Sequence, residues 1–148
     1  MAFQFILDPV LRLRRSIERQ RMLAFQDAAL QLGRSQETVA RLDKFLADSE
    51  AVDAARLSAG ATGAELQFAA LLRQQMQQLC ARLHHEVRRL ESARQQAAEA
   101  YEHAFHVREI LDSLRARQRR LYQIEQARRE QQRLDAAYLL QRWHHGSG

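Results

Sequence analysis

The sequence predicts an all-α protein in which two long helices form an antiparallel coiled-coil hairpin, with the C-terminal helix overhanging its partner. The composition is one reason, because the chain has 24 Ala, 22 Arg, 21 Leu and 18 Gln but only 11 Val, Ile and Thr together. Strong helix formers therefore far outnumber the β-branched residues that strands prefer. A second reason is that one Pro and five Gly leave few places where a helix must end. The third is a sustained seven-residue apolar repeat, which is typical of a left-handed coiled coil.

The first helix is expected over residues 9–57. Asp8 suits an N-cap, and Pro9 is favoured at the first helical position because it has no N–H to leave unbonded. Ahead of it, Phe3, Phe5 and Leu7 alternate and form a short apolar arm. The apolar seam of this helix is looser, and an eleven-residue step in it predicts local unwinding. Its members are Val10, Leu13, Ile17, Ala28, Leu32, Val39, Leu42 and Leu46.

The turn is expected at residues 58–63. Gly60 and Gly63 make this the densest break before the end of the chain, and Thr62 with Glu65 has the spacing of a capping box. Such a short loop makes the two helices antiparallel neighbours. Folding the chain about residue 60 places residue i opposite roughly residue 121 minus i.

The second helix is expected over residues 63–143, and two heptad rows form its seam. One row contains Met76, Leu83, Leu90, Ala97, Ala104 and Leu111. The other contains Leu72, Leu79, Glu86, Ala93, Ala100, Val107, Leu114 and Leu121. The seam ends after Leu121. Everything beyond about residue 115 should therefore overhang as a single helix, apart from what the N-terminal arm covers.

Residues 1–148 are thus expected to be a single coiled-coil hairpin domain in the cytosol. One Cys forms no internal disulfide, and no run of 18 apolar residues or secretory signal is present. A two-helix hairpin has no walled pocket, so we expect no enzyme, catalytic residue, cofactor or metal. Cys80 is expected to be a half-buried apolar residue, and His84 and His85 are expected to be solvated.

Basic charge is concentrated in residues 115–133, which we call the basic segment. It has seven Arg against Glu125 and Glu130, and this difference equals the whole formal net charge of +5. Arginine and aromatic residues on an overhanging helix indicate a docking helix for a partner, although a solvated face has the same pattern. The residues expected to bind are Arg115, Arg117, Arg119, Arg120, Tyr122, Arg128, Arg129 and Arg133.

A second candidate surface lies near the turn. Phe45 and Phe68 flank the seam residues Leu42 and Leu72, in a bundle too thin to bury every ring. Exposed apolar clusters of this kind mark interfaces. The alternative is that the two rings fold over the edge of the seam and only pack.

Both ends of the chain resemble the flagellar export protein FliJ family. The N-terminal pattern is Phe3-x-Phe5-x-Leu7-x-x-Val10-Leu11-x-Leu13-Arg14 followed by Glu18. The C-terminal pattern is Arg108-Glu109-Ile110-Leu111 and Leu114, then Tyr122, Arg128, Glu130-Gln131 and Leu134-Asp135-Ala136. Length, hairpin architecture and basic character agree along essentially the whole chain.

This resemblance implies a soluble stalk of the flagellar type III export apparatus, located in the cytoplasm and peripherally associated with the inner membrane. Such a protein binds the hexameric export ATPase (FliI-like), contacts the cytoplasmic domain of the export gate (FlhA-like) and escorts export chaperones. The end bearing both termini would enter the ATPase ring, and the hairpin end would reach the gate through Leu42, Phe45, Phe68 and Leu72. A monomer that binds no nucleic acid is expected.

Two alternatives stay open. Stalk proteins of injectisome type III secretion systems look similar at this level. A basic coiled coil is also a candidate nucleic-acid binder. A leucine-zipper factor, however, places its basic region before the zipper and uses Asn to contact bases, whereas here the basic segment follows the seam and the chain has no Asn.

Overall fold

The computed structural model describes residues 2–146, which form two helices and contain no strand. Helix α1 spans Asp8–Ser58 and has 51 residues. Helix α2 spans Gly63–Gly146 and has 84 residues. The all-α helical hairpin expected from the sequence is therefore confirmed. The ends of α1 lie within one residue of those expected, whereas α2 continues three residues past the expected position 143.

A glycine in a left-handed conformation ends α1. Gly60 has a φ of 85°, the only positive φ among residues 2–146. The N–H of Ala61 donates to the carbonyl of Arg56 at 3.2 Å, and that of Gly60 donates to the carbonyl of Leu57 at 3.4 Å. This is the Schellman arrangement, which satisfies carbonyls at a helix end and requires the freedom of glycine. At the start of α2, Thr62 Oγ1 accepts a hydrogen bond from the N–H of Glu65 at 3.3 Å, as the capping box predicts.

The hairpin divides into two compact units. The described part of unit 1 comprises residues 2–18 and 103–146, and unit 2 comprises Arg19–Glu102. Each unit contains one stretch of α1 packed against one stretch of α2. Because the helices are paired without a third layer, few residues in either unit are removed from water.

In unit 2, the buried residues follow heptad rows on both helices. Leu32 and Val39 of α1 are buried, and so are Cys80 and Leu90 of α2. The expected row from Met76 through Leu90 to Ala97 is buried or half-buried throughout.

The second expected row of α2 is confirmed only in part, at the half-buried residues Glu86, Ala100, Val107 and Leu114. Leu72, Leu79 and Ala93 are exposed, whereas the row that begins one position later is half-buried or buried. This row consists of Arg73, Cys80, Val87, Arg94 and Tyr101 in unit 2. Long arginine stems can cover a seam while their charged ends stay in water, so a count of apolar residues does not detect them.

The expected seam of α1 is confirmed at six of its eight positions, which are buried or half-buried, but not at its start. The six are Ile17, Ala28, Leu32, Val39, Leu42 and Leu46. A regular heptad passes through Leu11, Glu18, Phe25, Leu32, Val39, Leu46 and Asp53, each of which is buried or half-buried. The expected eleven-residue step does not occur, because Glu18 and Phe25 occupy the intervening positions. Val10 and Leu13, expected in the seam, are 40% and 59% exposed. Helix α1 also runs without interruption through Gly33.

The core of unit 1 forms where the N-terminal arm meets α2. Leu11 is fully buried, Phe5 is 6% exposed, and Ala104 is buried on the facing helix. The ring of Phe3 lies 5.6 Å from the ring of Tyr122. The arm thus covers α2 beyond the point where α1 begins.

An ion network joins the two helices of unit 1. The Arg108 guanidinium donates to both carboxylate oxygens of Glu18, at 2.7 and 3.1 Å, and to Asp112 at 2.8 Å. Arg15 also donates to Asp112, at 2.9 Å. Arg108 lies 4.9 Å from the centre of the Phe105 ring, so its charge also meets an aromatic face. A bidentate pair of this kind has defined geometry and stabilises more than a simple surface contact.

The facing residues define a register that differs from the expected one. Glu18 faces Arg108 in unit 1, and Phe25 faces Tyr101 in unit 2, where the ring centres are 6.5 Å apart. Residue i therefore lies opposite about residue 126 minus i, five positions beyond the expected partner. The expectation folded the chain about residue 60, whereas the observed pairs centre the fold near residue 63, at the start of α2.

The burial of Leu11 predicts a large effect of truncation. Leu11→Ala should lower the free energy of unfolding by about 2–3 kcal/mol, because it leaves a cavity in a thin core. Leu13→Ala is the matched control, and its cost should be about 0.5 kcal/mol or less because Leu13 is mostly exposed. Urea unfolding followed by circular dichroism measures both values. Equal losses in the two variants would contradict the observed seam.

The ion network predicts a dependence of stability on pH. The Arg108 guanidinium, with a smaller contribution from Arg15, holds the pKa of Asp112 below its usual range. This stabilising contribution is therefore present above the unfolded carboxyl pKa of about 4 and is lost as the pH falls through the lowered folded value. Asp112→Asn should be less stable than the wild type at pH 7, and the difference should vanish in acid.

Thermal unfolding at a series of pH values measures this difference. Asp135→Asn is the control, since Asp135 is exposed and accepts a hydrogen bond from Gln131 along the same helix. A constant difference between Asp112→Asn and the wild type from pH 7 down to pH 2 would show that the network does not act through the Asp112 charge.

Candidate partner-binding surfaces

The basic segment is not a uniform overhang. Arg115 is half-buried, and its Nε atom is shielded from water without a hydrogen-bond partner among the described residues. Tyr122 is half-buried and contacts Phe3. These two positions thus belong to the covered part of unit 1. Half-buried positions continue to Gln126, so the overhang begins at residue 127 rather than near residue 115.

Three arginines of the basic segment are exposed and have no acidic partner. Arg117, Arg119 and Arg120 make no ion pair within residues 2–146. A shallow groove of about 380 Å³ lies beside Arg119 and Arg120. It is lined by Asp112, Arg115, Ala116, Arg119, Arg120 and Gln123. Guanidinium groups at such a groove can bind carboxylates or phosphates through paired hydrogen bonds.

The remaining arginines of the segment are partly neutralised. Arg128 and Arg129 each lie 3.2 Å from the carboxylate of Glu125, and Arg133 lies 3.8 Å from that of Glu130. Hydrogen bonding from Arg128 is the main cause of a lowered pKa at Glu125. The uncompensated positive charge is therefore concentrated at residues 117–120, within the first third of the segment.

Beyond residue 126, α2 presents only exposed side chains. Several are large and apolar, with exposures from 58% to 78%. They are Leu134, Tyr138, Leu139, Leu140 and Trp143. Leu140 and Trp143 were not singled out from the sequence. Their positions were a visible signal, because Trp143 follows Leu140 by three residues and Leu139 by four, and such residues share one face of a helix. An apolar cluster on an exposed helix is a candidate docking surface.

Near the turn, the two expected phenylalanines face one groove. Phe45 is 52% exposed and Phe68 is 71% exposed. They line a groove of about 330 Å³ between α1 and α2, which we call the hairpin groove, together with Leu46, Val52, Leu72 and Met76. Leu42 is half-buried and is not among its lining residues. Asp53 and Arg73 form an ion pair at the edge of this groove.

A polar cluster lies further along unit 2, around Cys80. The Cys80 thiol donates to Asp43 Oδ1 at 2.8 Å, and His84 Nε2 lies 3.5 Å from Asp43 Oδ2. The hydrogen bond to the carboxylate raises the pKa of the thiol, and the same bond lowers the pKa of Asp43. Cys80 is more buried than expected, since it lies in the seam rather than beside it.

Within residues 2–146, three side chains of metal-ligating type converge in this cluster. One ligand atom each from Asp43, Cys80 and His84 lies within 4.8 Å of the others. Sequence reasoning did not find it, because the signal depends on which residue of α1 faces Cys80. The expected register placed Asp43 opposite about residue 78, more than one turn away from His84.

No stretch of helix within residues 2–146 combines the length and apolar character needed to cross a membrane. Comparison with known families matches residues 3–147 to the family described as Flagellar FliJ protein. Searches of curated proteins and of solved structures found no significant match. The family match covers nearly the whole chain and includes both terminal patterns noted in the sequence. The chain therefore belongs to the flagellar FliJ protein family.

Proposed function

We propose that this chain is a non-catalytic stalk of the flagellar type III export apparatus. In this role unit 1 docks in the hexameric export ATPase, and the hairpin groove of unit 2 binds the cytoplasmic domain of the export gate. Escort of export chaperones is carried over from the resemblance to the family. The observation that supports the proposal best is the group of exposed arginines at residues 117–120, followed by a stretch of α2 from residue 127 whose side chains are all exposed.

Uncompensated charge supports an acidic partner for unit 1. Arg117, Arg119 and Arg120 make no ion pair within residues 2–146. Arg108 in the seam, and Arg128 and Arg129 toward the end of the basic segment, do form ion pairs. Positive potential of this kind steers an acidic partner into place and sets the orientation of the complex. Arginine also gives directional, paired hydrogen bonds to carboxylates, which a lysine does not.

The exposed end of α2 supports a binding mode in which a helix enters a groove. A single helix of this length is only marginally stable in water unless its apolar face is covered. Residues such as Tyr138, Leu139 and Trp143 offer apolar area of the type that fills a groove in a partner. Together with the arginines, they form one continuous docking stretch from residue 117 to residue 146.

The hairpin groove supports a second, chemically different contact. Its two phenylalanines are more than half exposed, although exposing a phenylalanine ring to water is unfavourable. Aromatic residues around a shallow apolar groove are typical of the centre of a protein interface. An apolar partner surface suits this site, in contrast with the acidic surface that suits unit 1.

Charge reversal tests the ATPase contact. Arg117→Glu with Arg120→Glu should weaken binding to the hexameric ATPase at least about tenfold, because each change places like charges across the interface. Arg128 is left unchanged because Glu125 already binds it. Fluorescence anisotropy with labelled chain measures the dissociation constant.

The matched control is Arg82→Glu with Arg88→Glu. Both residues are exposed on α2 in unit 2, and the change in net charge is the same. Circular dichroism should show equal helicity for both double variants. If the control weakens ATPase binding as much as the first variant does, only overall charge matters, and the specific docking role is wrong.

Aromatic truncation tests the gate contact. Phe45→Ala with Phe68→Ala should weaken binding to the cytoplasmic domain of the gate by about thirtyfold, the loss expected from two interface anchors worth about 2 kcal/mol together. The control is Leu30→Ala with Leu71→Ala, because both leucines are exposed but lie outside the hairpin groove. Titration calorimetry compares the variants. Wild-type affinity in the phenylalanine variant would mean that these rings only pack.

A further inference from the structure

We propose that Asp43, Cys80 and His84 form a zinc site that links α1 to α2 within unit 2. The three side chains are a carboxylate, a thiol and an imidazole, which are the ligand types found in zinc proteins. Their ligand atoms converge to within 4.8 Å of one another. No part of the proposed export role uses these residues, so the site is independent of it.

Backbone geometry brings the three ligands together. Cys80 and His84 are four residues apart on α2, so their side chains lie on the same face, one turn apart. Asp43 follows the half-buried Leu42 on α1 and faces this turn across the groove between the helices. Two ligands from one helical turn and a third from the facing helix give a site that exists only when the helices are paired.

The distances suit a tetrahedral ion after a small adjustment. With bonds of about 2.3 Å to sulfur and 2.0 Å to nitrogen or oxygen, ligand atoms around tetrahedral zinc are about 3.3–3.5 Å apart. His84 Nε2 and Asp43 Oδ2 are already 3.5 Å apart. The sulfur and Asp43 Oδ1 are closer, at 2.8 Å, because a proton now lies between them. Zinc replaces that proton, and rotation of the side chains increases the sulfur–oxygen distance from 2.8 Å to about 3.5 Å.

The proton balance of binding is simple. The Cys80 S–H bond breaks, the proton passes to solvent, and a sulfur–zinc bond forms without any change in oxidation state. His84 binds through the lone pair of Nε2 and keeps its proton on Nδ1. One thiolate and one carboxylate cancel the two positive charges of the ion, so the complex is neutral. A neutral complex is suited to a site whose sulfur is buried.

The exposure of the site defines its fourth ligand. The side chains of Asp43 and His84 are 49% and 47% exposed, so one side of the cluster is open to solvent. Water can complete the tetrahedron from this side. A thiolate and an imidazole select zinc over calcium or magnesium, which prefer oxygen ligands and higher coordination numbers.

Zinc would stabilise the pairing of the helices in unit 2. The ligands are 37 residues apart in sequence and belong to different helices, so binding closes the whole hairpin loop between them. An ion that binds only the paired state raises its stability in proportion to the logarithm of the free ion concentration. The stability that the apolar seam provides does not depend on the zinc concentration. With the site present, the stability of unit 2 would rise as the free zinc concentration rises.

Cobalt is the direct probe of this site. The reduced full-length chain, carrying no histidine tag, is titrated with Co²⁺ while the visible d–d bands and the thiolate-to-cobalt charge-transfer band are recorded. One equivalent of Co²⁺ should give both signals, and one equivalent of Zn²⁺ should abolish them. Zn²⁺ should also raise the melting temperature measured by circular dichroism.

Four variants locate the site. Cys80→Ser, which keeps the size of the side chain, and His84→Gln should each lose the spectrum and the thermal shift while retaining helicity. His85→Gln should behave as the wild type because His85 is adjacent but outside the cluster, and so should His144→Ala with His145→Ala near the C-terminus. Absence of stoichiometric binding by the wild-type chain, or full retention of the spectrum in Cys80→Ser or His84→Gln, would overturn the proposal.

Discussion

The register of the two helices is the constraint on which every surface of this protein depends. In unit 1, Glu18 receives two hydrogen bonds from Arg108, and in unit 2 the rings of Phe25 and Tyr101 stack. A slide of one heptad would place Arg108 opposite Leu11 or Phe25, leaving its charge without an acid in the seam. Burying an unpaired charge is costly, so the ion network excludes the neighbouring registers that a repetitive apolar seam would otherwise allow.

This register also decides where the functional surfaces lie. It buries Leu11 in unit 1 and extends coverage of α2 to Gln126, so the overhang begins later than residue 115. It brings Asp43 to Cys80, and Phe45 to the groove that Phe68 also lines. A two-helix structure buries few residues, so the side chains available for binding lie on exposed faces and in shallow grooves.

Much of the fold could be predicted from the sequence because its signals are local. Pro9, Gly60 and the capping box at Thr62 mark helix ends through backbone preferences that need no tertiary information. One heptad row of α2 was visible because it consists of apolar residues. The other row was missed because arginines and a tyrosine occupy it, and the register was missed because it depends on contacts between distant residues.

For the candidate surfaces too, features set by local sequence could be predicted, whereas features set by the partner helix could not. The spacing of Glu125 to Arg128 and Arg129 was sufficient to expect the local ion pairs that neutralise the end of the basic segment. The covered position of Arg115 and the cluster around Cys80 depend on the partner helix, so no local pattern reveals them. Sequence therefore located the basic and aromatic surfaces in the chain, and the structure identified which of their side chains are available to a partner.

Hydrogen–deuterium exchange with and without the hexameric export ATPase tests the central claim most directly. In the free chain, amides of residues 127–146 should exchange faster than those of the paired part of α2, because no second helix covers them. On addition of the ATPase, protection should appear at residues 117–146. Unchanged exchange in this stretch, or protection confined to residues 45–72, would contradict the assignment of unit 1 as the ATPase-binding end.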